Sequence, residues 1–397
     1  MKFGHVKYDT ATEPAPAGTR PPATRLTGVD AARGLALIGM MAVHVLPGVD
    51  PDGGTSAAYL VASGRSAAAF AVLAGVGLAL AFGGPRAVNG RRWPGAAVAL
   101  TVRAALIGAV GLALGYPDSG VAVILAYYAV LFLLAVPLLR LRSAVLAGIA
   151  AAVAFAVPVA SHVLRAELEA PERANPTFAT LLEHPGELLL VLGLTGYYPA
   201  LAWTTYLCAG LAAGRLPLRS ARVAAGLLGG GTALAVSASA ASSLLLGPLD
   251  GWERILATTP ADFDPAALDR GWFGTTPPTT LWWLAIDAPH SSTPFDLLHT
   301  TGTALALLGA LLLLSRVASR LLIPLAAAGS MTLTLYTVHV VLLSSSLLPA
   351  EPTTSYAVQV AAALVVALLW RRWVRRGPLE AVIARASGRA RRVVDTE

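Results

Sequence analysis

Ten apolar stretches, each close to the length that an α-helix needs to cross a lipid bilayer, dominate the sequence. A span takes about 20 mostly apolar residues. The stretches lie near residues 31–48, 56–82, 97–115, 121–139, 144–161, 188–214, 223–247, 298–315, 322–347 and 355–370. Hydrophobic residues fill 56% of the 397 positions and charged residues only 13%, which excludes a soluble globular protein. The sequence predicts an all-α, polytopic membrane helix bundle of about ten transmembrane helices, with eleven as the alternative count.

The sixth stretch is longer than a single span needs and contains Gly196 and Pro199. Proline removes a backbone hydrogen-bond donor from a helix, and kinks concentrate at proline and glycine. We therefore expect either one kinked helix or a short re-entrant piece followed by a span.

The arginines are distributed unevenly between the two sets of loops. Short cytoplasmic loops of membrane proteins are enriched in Arg and Lys. The loops after the second, fourth, sixth and eighth stretches hold ten arginines and no acidic residue: Arg86, Arg91, Arg92, Arg140, Arg142, Arg215, Arg219, Arg222, Arg316 and Arg320. Both termini are therefore predicted to be cytoplasmic, in a cell membrane. The same placement explains the net charge of +7 without a nucleic-acid partner.

Three regions follow from this pattern. Residues 1–24 are polar, rich in Pro and Ala, and lack the apolar core of a signal peptide, so they are predicted to be a disordered cytoplasmic tail. Residues 25–376 form the transmembrane domain, including a long outer loop at 248–297, and residues 377–397 form a basic cytoplasmic tail. The single cysteine, Cys208, supports neither a disulfide nor a metal site.

Ionisable side chains inside the spans are informative because each costs about 2.5 to 3.5 kcal/mol on insertion scales. In the first stretch, Arg33 and His44 share one helix face, roughly 16 Å apart along the axis. Asp30 lies one turn before Arg33 and can pair with it. The alternative is a membrane-surface anchor at Arg33 and a hydrogen-bonded core histidine at His44.

Arg65 lies about 15 Å below the outer end of the second stretch, too deep to reach surface water. An arginine stays protonated in proteins, so its guanidinium must face an anion, a carboxylate or a wet cavity. A functional role is favoured here over a structural ion pair. The adjacent Ser66 has small neighbours, which leave space for a ligand or for close helix packing.

Six further residues are candidates for contact with a ligand. They are Tyr198 and Trp203 in the aromatic sixth stretch, His290 and Ser291 in the outer loop, and Tyr336 and His339 in the ninth stretch. The alternatives are an aromatic belt at the membrane surface for the first pair, loop structure for the second, and an interhelical hydrogen bond for the third.

The opening RLTGVDAARGLALIGMMAVHVLPG resembles the start of the membrane acyltransferase group that includes bacterial relatives of heparan-alpha-glucosaminide N-acetyltransferase. The segments GRSAAAFAVLAGVGLAL, GYYPALAWTTYLCAGLAAGRLPL and PHSSTPFDLLHTTGTALALLG are similar to other segments of those relatives. The spacing of Arg33, ten residues and His44 also resembles the first-helix signature of the related acyltransferase type 3 family. The resemblance covers nearly all of the region 25–376. It implies that this region is an acyltransferase-like domain.

This resemblance implies a multi-pass enzyme that transfers an acyl group, typically acetyl, from acyl-CoA on the cytoplasmic side to a saccharide or other envelope acceptor. It implies acetyl-CoA as a donor substrate and no permanently bound cofactor. His44 is the implied catalytic residue, either as general base or as a transient acyl carrier. Arg65 is our candidate for polarising the thioester carbonyl or holding the donor. The expected partners are the bilayer, the donor and the acceptor, with a homodimer as a further option.

Two other functions fit the same residues. In a transporter or exporter, Arg65 and His44 line a permeation path for an anion or couple transport to protons. In an assembly protein, the buried polar residues merely join helices.

Overall fold

The computed structural model describes residues 26–84, 86–168, 174–261, 263–272, 274–374 and 376–395. These residues are mostly helical and contain no β-strand, apart from one isolated antiparallel bridge between Val49 and Thr55. The predicted all-α architecture is therefore confirmed for the described part of the chain. The predicted disordered tail at 1–24 lies outside it.

Seventeen α-helices are present among the described residues. The first nine are α1 (Thr27–Val45), α2 (Ala57–Ala62), α3 (Arg65–Phe82), α4 (Arg92–Ala113), α5 (Leu125–Leu138), α6 (Ser143–Leu164), α7 (Phe178–Glu183), α8 (Pro185–Leu190) and α9 (Ala200–Gly214). The rest are α10 (Ala221–Leu246), α11 (Gly251–Leu256), α12 (Ala267–Arg270), α13 (Pro294–Val317), α14 (Ile323–Gly329), α15 (Thr332–Leu343), α16 (Pro352–Trp373) and α17 (Pro378–Asp395).

Seven helical segments in the described residues are long and apolar enough to cross a membrane, or nine if each of two bent pairs is one span. The count of ten is therefore not confirmed. The fourth predicted span, 121–139, forms a helix only over Leu125–Leu138. Fourteen residues rise about 21 Å, which is short of a hydrocarbon core of about 30 Å.

Two of the predicted spans are broken. The sixth contains α8, a π-helical turn at Val191–Thr195 and α9, with a bend of 53° across the break. A break at Gly196 and Pro199, which both predicted alternatives require, is thus confirmed. The ninth was expected to be continuous, and this is wrong, because α14 and α15 meet at 79°. The amide groups freed at this second break are satisfied from outside the helix, by the Glu380 carboxylate.

α1 lies inside the bundle, where it packs against α3, α13, α14 and α16. By contrast, α6, α10 and α16 bury only 22% of their apolar spans and carry exposed side chains such as Val236 and Val366, as expected for lipid-facing helices. Close packing in the centre depends on small residues. A Cβ at Gly210 of α9 would collide with the backbone carbonyl of Val72 on α3.

The two long segments outside the spans are both folded. In the long loop 248–297, Trp272 and Trp283 pack against Phe263, and Trp283 is fully buried. The predicted C-terminal tail forms α17, which packs along α4 and buries Ile383. Neither segment is a simple connector or extension.

Candidate functional site

A cavity of about 670 Å³ opens at the end of the bundle where α1 terminates. Its walls come from the last turns of α1, from α2 and the start of α3, and from the loop between α4 and α5. The remaining wall is formed by residues 174–175 and 197–198, by His290 and by Tyr336 of α15. The candidate residues His44, Ser66, Tyr198, His290 and Tyr336 all line it. Five side chains scattered over the sequence are therefore brought to one space.

His44 lies in the last turn of α1, and its side chain is joined to a second histidine. Its Nδ1 is 3.1 Å from Nε2 of His339. The two rings are nearly parallel, at 11°, with centroids 5.3 Å apart. Because the nitrogens are much closer than the centroids, the rings meet edge to edge through an in-plane hydrogen bond. Nε2 is the nitrogen of His44 left for the cavity.

His339 is 2% exposed and does not line the cavity. It lies behind His44, and its Nδ1 is 2.7 Å from Oε1 of Gln359 on α16. Nε2 of Gln359 donates to Oγ of Ser355, one turn earlier on the same helix, at 3.2 Å. A buried hydrogen-bonded row therefore runs from the cavity through three helices.

His290, in the loop 248–297, closes another side of the cavity. Its backbone has a φ of 66°, in the left-handed region that non-glycine residues seldom occupy. Its Nε2 accepts a hydrogen bond from the backbone N–H of Gly64, at 3.1 Å. Burial lowers the pKa of His290 to about 4. The ring is therefore neutral near pH 7, as an accepting Nε2 requires.

Tyrosines form much of the remaining wall. Tyr198 packs edge to face against Trp203, with ring centroids 5.1 Å apart, and donates from its hydroxyl to the Ala122 carbonyl at 3.3 Å. Trp203 supports Tyr198 from behind and does not itself line the cavity. The hydroxyl oxygen of Tyr336 accepts from the backbone N–H of Ile124, at 3.2 Å.

Sequence reasoning overlooked several lining residues: Tyr59, Tyr116, Asp118, Ser119 and Asn175. Asn175 fixes the loop between α4 and α5, because its side chain donates to Val121 O and accepts from Val123 N, each at 2.8 Å. The Asn-Pro pair at 175 and 176 is a turn signal that the sequence offered. No comparable signal in the sequence pointed to Tyr59.

Arg33, His44 and Arg65, the candidate residues of the first two stretches, do not line one cavity among the described residues. Only His44 of the three lines the cavity. Arg33 lies 3.5 Å from Asp30, as the helical spacing predicted, and donates to the Leu73 carbonyl at 3.1 Å. Asp30 and Arg33 lie at the opposite end of α1 from His44.

Arg65 is held in a separate polar network. Its Nε donates to Nε2 of His299 at 3.2 Å, and its NH1 donates to the Leu60 carbonyl. His299 continues through Ser239, whose hydroxyl donates to Asp287 at 2.7 Å. The half-buried guanidinium thus has partners in α2 and α13, and Arg65 does not line the cavity. His299 had not been singled out from the sequence.

Ser291 is buried beside the cavity without lining it, with its hydroxyl 3.3 Å from that of Thr293. It borders a smaller pocket next to Arg165 instead. Across the residues with described positions, no group of three or more His, Cys, Asp or Glu side chains is arranged to hold a metal ion.

The sequence of the chain also matches a known protein family. The sequence profile of the family described as heparan-alpha-glucosaminide N-acetyltransferase, catalytic, matches residues 25–243, more than half of the chain. The chain belongs to this family. No curated protein matches it. In this family member the matched segment supplies His44, Ser66 and Tyr198, whereas His290, Tyr336 and the His339 row come from the part of the chain beyond the match.

Proposed function

We propose that this protein is an integral membrane acyltransferase that moves an acetyl group from acetyl-CoA to an amine or hydroxyl of a saccharide or similar envelope acceptor. The observation that carries the proposal is the placement of His44. In a chain of the N-acetyltransferase family, this histidine faces a cavity of about 670 Å³ with one ring nitrogen and is bonded to another histidine through the other.

The reaction needs a base close to the acceptor. The acceptor N–H or O–H attacks the thioester carbonyl carbon, the new C–N or C–O bond forms, and the C–S bond breaks. His44 takes the acceptor proton and returns it to the departing CoA thiolate. In the alternative route His44 Nε2 is itself acetylated first and then passes the acetyl group on. Both routes require an unprotonated Nε2 toward the cavity.

The developing negative charge on the carbonyl oxygen needs a hydrogen-bond donor. Tyr336 lines the cavity, and its hydroxyl oxygen already accepts from Ile124 N, so the hydroxyl proton is directed elsewhere. We assign this role to Tyr336. Arg65, the candidate from the sequence, instead joins α3 to α13 through His299.

The donor and the acceptor reach His44 from opposite sides in this proposal. With both termini cytoplasmic, Arg33 lies near the inner surface, roughly 16 Å from His44 along α1. The phosphates of CoA bind near Arg33 and the arginines of the inner loops, and the helices must separate to admit the slim pantetheine arm toward His44, because the described cavity does not reach Arg33. The cavity mouth, built from predicted outer loops, admits the acceptor.

The charge of the cavity wall limits the acceptor. None of its described lining residues is Arg or Lys, and one is a carboxylate, the exposed Asp118 at the mouth. Tyrosine rings and hydroxyls suit a sugar ring, which has apolar faces and polar edges. An uncharged sugar or one with an amine fits this wall better than a polyanion does.

The test is acetyl transfer by the purified protein in nanodiscs, with acetyl-CoA and glucosamine, followed by release of the CoA thiol. We expect His44→Ala to lower the rate about 100-fold or more while leaving the melting temperature unchanged. His184→Ala, which changes an exposed histidine away from the cavity, is the matched control and should keep full activity. Wild-type activity in the His44→Ala variant would refute the role of His44, and sugar flux into vesicles without thioester cleavage would favour a transporter.

A further inference from the structure

We propose that His339 and Gln359 are positioning residues that fix the ring tautomer of His44 and thereby leave its Nε2 free to accept a proton in the cavity. The inference rests on the proposed function, since it assigns the machinery behind the same histidine. Nothing in the family match extends to either residue, because the matched segment ends at residue 243.

The Gln359 amide determines which nitrogen of His339 carries the proton. An amide oxygen accepts hydrogen bonds and cannot donate them. Since Oε1 of Gln359 lies 2.7 Å from Nδ1 of His339, the proton of the neutral His339 ring is on Nδ1. The other nitrogen of a neutral imidazole is then an acceptor. His339 therefore presents a lone pair at Nε2, toward His44.

His339 in turn determines which nitrogen of His44 carries the proton. Its Nδ1 lies 3.1 Å from the accepting Nε2 of His339, in nearly the same plane, so Nδ1 must carry the proton. Nε2 of His44 then has the lone pair. This is the tautomer that either a general base or an acyl carrier needs, and the opposite tautomer would present an N–H to the substrate.

The Gln359 amide is also hydrogen-bonded on its own helix. Its NH₂ group donates to Ser355 Oγ, one turn away, at 3.2 Å. Ser355, Gln359, Ala363 and Ala367 make up the buried face of α16, and Gln359 is 4% exposed. Because water has little access to this row, each proton is confined to the bonds described. With the amide turned over, its NH₂ group would donate to Nδ1 of His339, the Ser355 hydroxyl would donate to its oxygen, and both histidine tautomers would be reversed, so the tautomer of His44 distinguishes the two arrangements.

Gln359 carries no charge, and this affects how firmly the histidine pair retains a proton. A carboxylate in the place of Gln359 would add a negative charge that retains a proton on the histidine pair. An amide orients the rings without adding that charge. His44 can therefore take a proton from the acceptor and release it again to the CoA thiolate.

The first experiment reads the tautomer directly. Histidine is labelled with ¹⁵N in the rings, and one-bond N–H couplings show which nitrogen carries the proton. The chain has seven histidines, so the signals of His44 can be assigned by subtracting the spectrum of His44→Ala. We expect the wild type to have the proton on Nδ1 of His44, and Gln359→Met to show a mixture or the opposite tautomer. A wild-type proton on Nε2 of His44, or an unchanged tautomer in Gln359→Met, would overturn the proposal.

The second experiment measures steady-state kinetics of acetyl transfer. Gln359→Met keeps the side-chain length and removes the acceptor, and we expect kcat to fall about tenfold or more with little change in either KM. Tyr356→Phe is the control, since Tyr356 is on the same helix and bonds to Ile38 O of α1 without contacting the row. His339→Gln should retain more activity than His339→Leu, because its amide oxygen can accept from His44 Nδ1.

The two failures can be told apart. If His44→Ala remains active, the proposed function loses its base, whereas the labelled spectra still report the tautomer. If His44→Ala is inactive and Gln359→Met has the same kcat as Tyr356→Phe, the positioning role is wrong and the proposed function stands.

Discussion

Glu380 and Thr334 are joined by two hydrogen bonds across 46 positions of sequence. The Glu380 carboxylate accepts from the Thr334 hydroxyl at 2.6 Å and from the Thr334 backbone N–H at 3.2 Å, and it also accepts from Leu333 N at 2.7 Å. The first N–H groups of a helix have no partner within it. A residue of α17 therefore caps α15, the helix that carries Tyr336 and His339.

Replacing Glu380 with Ala should destabilise the protein by about 2 kcal/mol, because a helix cap and charge-assisted hydrogen bonds are lost together. Thermal unfolding in detergent micelles measures the effect. Glu187→Ala removes an exposed glutamate from the first turn of α8 and is the control. Equal melting temperatures for the two variants would show that the cap contributes no stability.

Gly64 and Gly84 offer a matched pair for testing how the His290 loop is held. Both have a positive φ, at 68° and 58°, and they flank α3 at its two ends. A Cβ at Gly64 would lie 2.9 Å from Pro289 Cβ, whereas nothing lies within 4 Å at Gly84. A positive φ disfavours alanine at both positions, by about 1 kcal/mol or more.

Gly64→Ala should therefore lower stability by more than Gly84→Ala does, and it alone should also lower acetyl transfer, because it displaces His290. Melting temperature and initial rate are compared for the two variants. If they behave alike, the close contact between Gly64 and Pro289 has no consequence for the cavity.

The sequence predicted those features that depend on local composition. Apolar stretches gave the helices, the Gly196 and Pro199 pair gave the kink between α8 and α9, and the cost of a buried charge drew attention to His44. The break between α14 and α15 was missed, because the group that satisfies it, Glu380, lies in another helix.

Long-range partners explain the other errors. Arg65 was expected in the cavity, yet it bonds to His299, 234 positions away. Gln359 drew no attention because an uncharged amide is not conspicuous in an apolar stretch, although it ends the row behind His44. Which polar groups meet is decided by helix packing, and hydropathy carries no information on that.

The stability of the protein should depend on pH through His290. Burial lowers its pKa to about 4 in the folded protein, against 6.5 for the unperturbed group. Between these values the unfolded chain binds more protons than the folded one, so stability is complete above pH 6.5 and falls as the pH drops toward 4. The full loss is up to about 3 kcal/mol.

His290→Gln tests this dependence, because its amide oxygen can accept from Gly64 N and does not titrate. Melting temperatures are measured between pH 4 and 6.5 by tryptophan fluorescence. The wild-type curve should fall more steeply on acidification than that of the variant. Parallel curves would mean that other groups account for the acid sensitivity.

Asp118 should set the preference of the cavity mouth for acceptors with an amine. It is exposed and lines the mouth, and no Arg or Lys is found among the described lining residues. An exposed charge pair contributes up to about 1 kcal/mol, so Asp118→Asn should lower kcat/KM for glucosamine about twofold to fivefold. Asp269→Asn is the control, because Asp269 is an exposed aspartate of the loop 248–297 that does not line the cavity.

Glucose, which has no amine, tests whether Asp118 recognises the amine, since Asp118→Asn should leave kcat/KM for glucose unchanged. Raising the salt concentration should weaken the wild-type preference for glucosamine, because salt screens exposed charges. An equal loss for both sugars, or a preference that ignores salt, would assign Asp118 to the structure of the loop instead of to recognition.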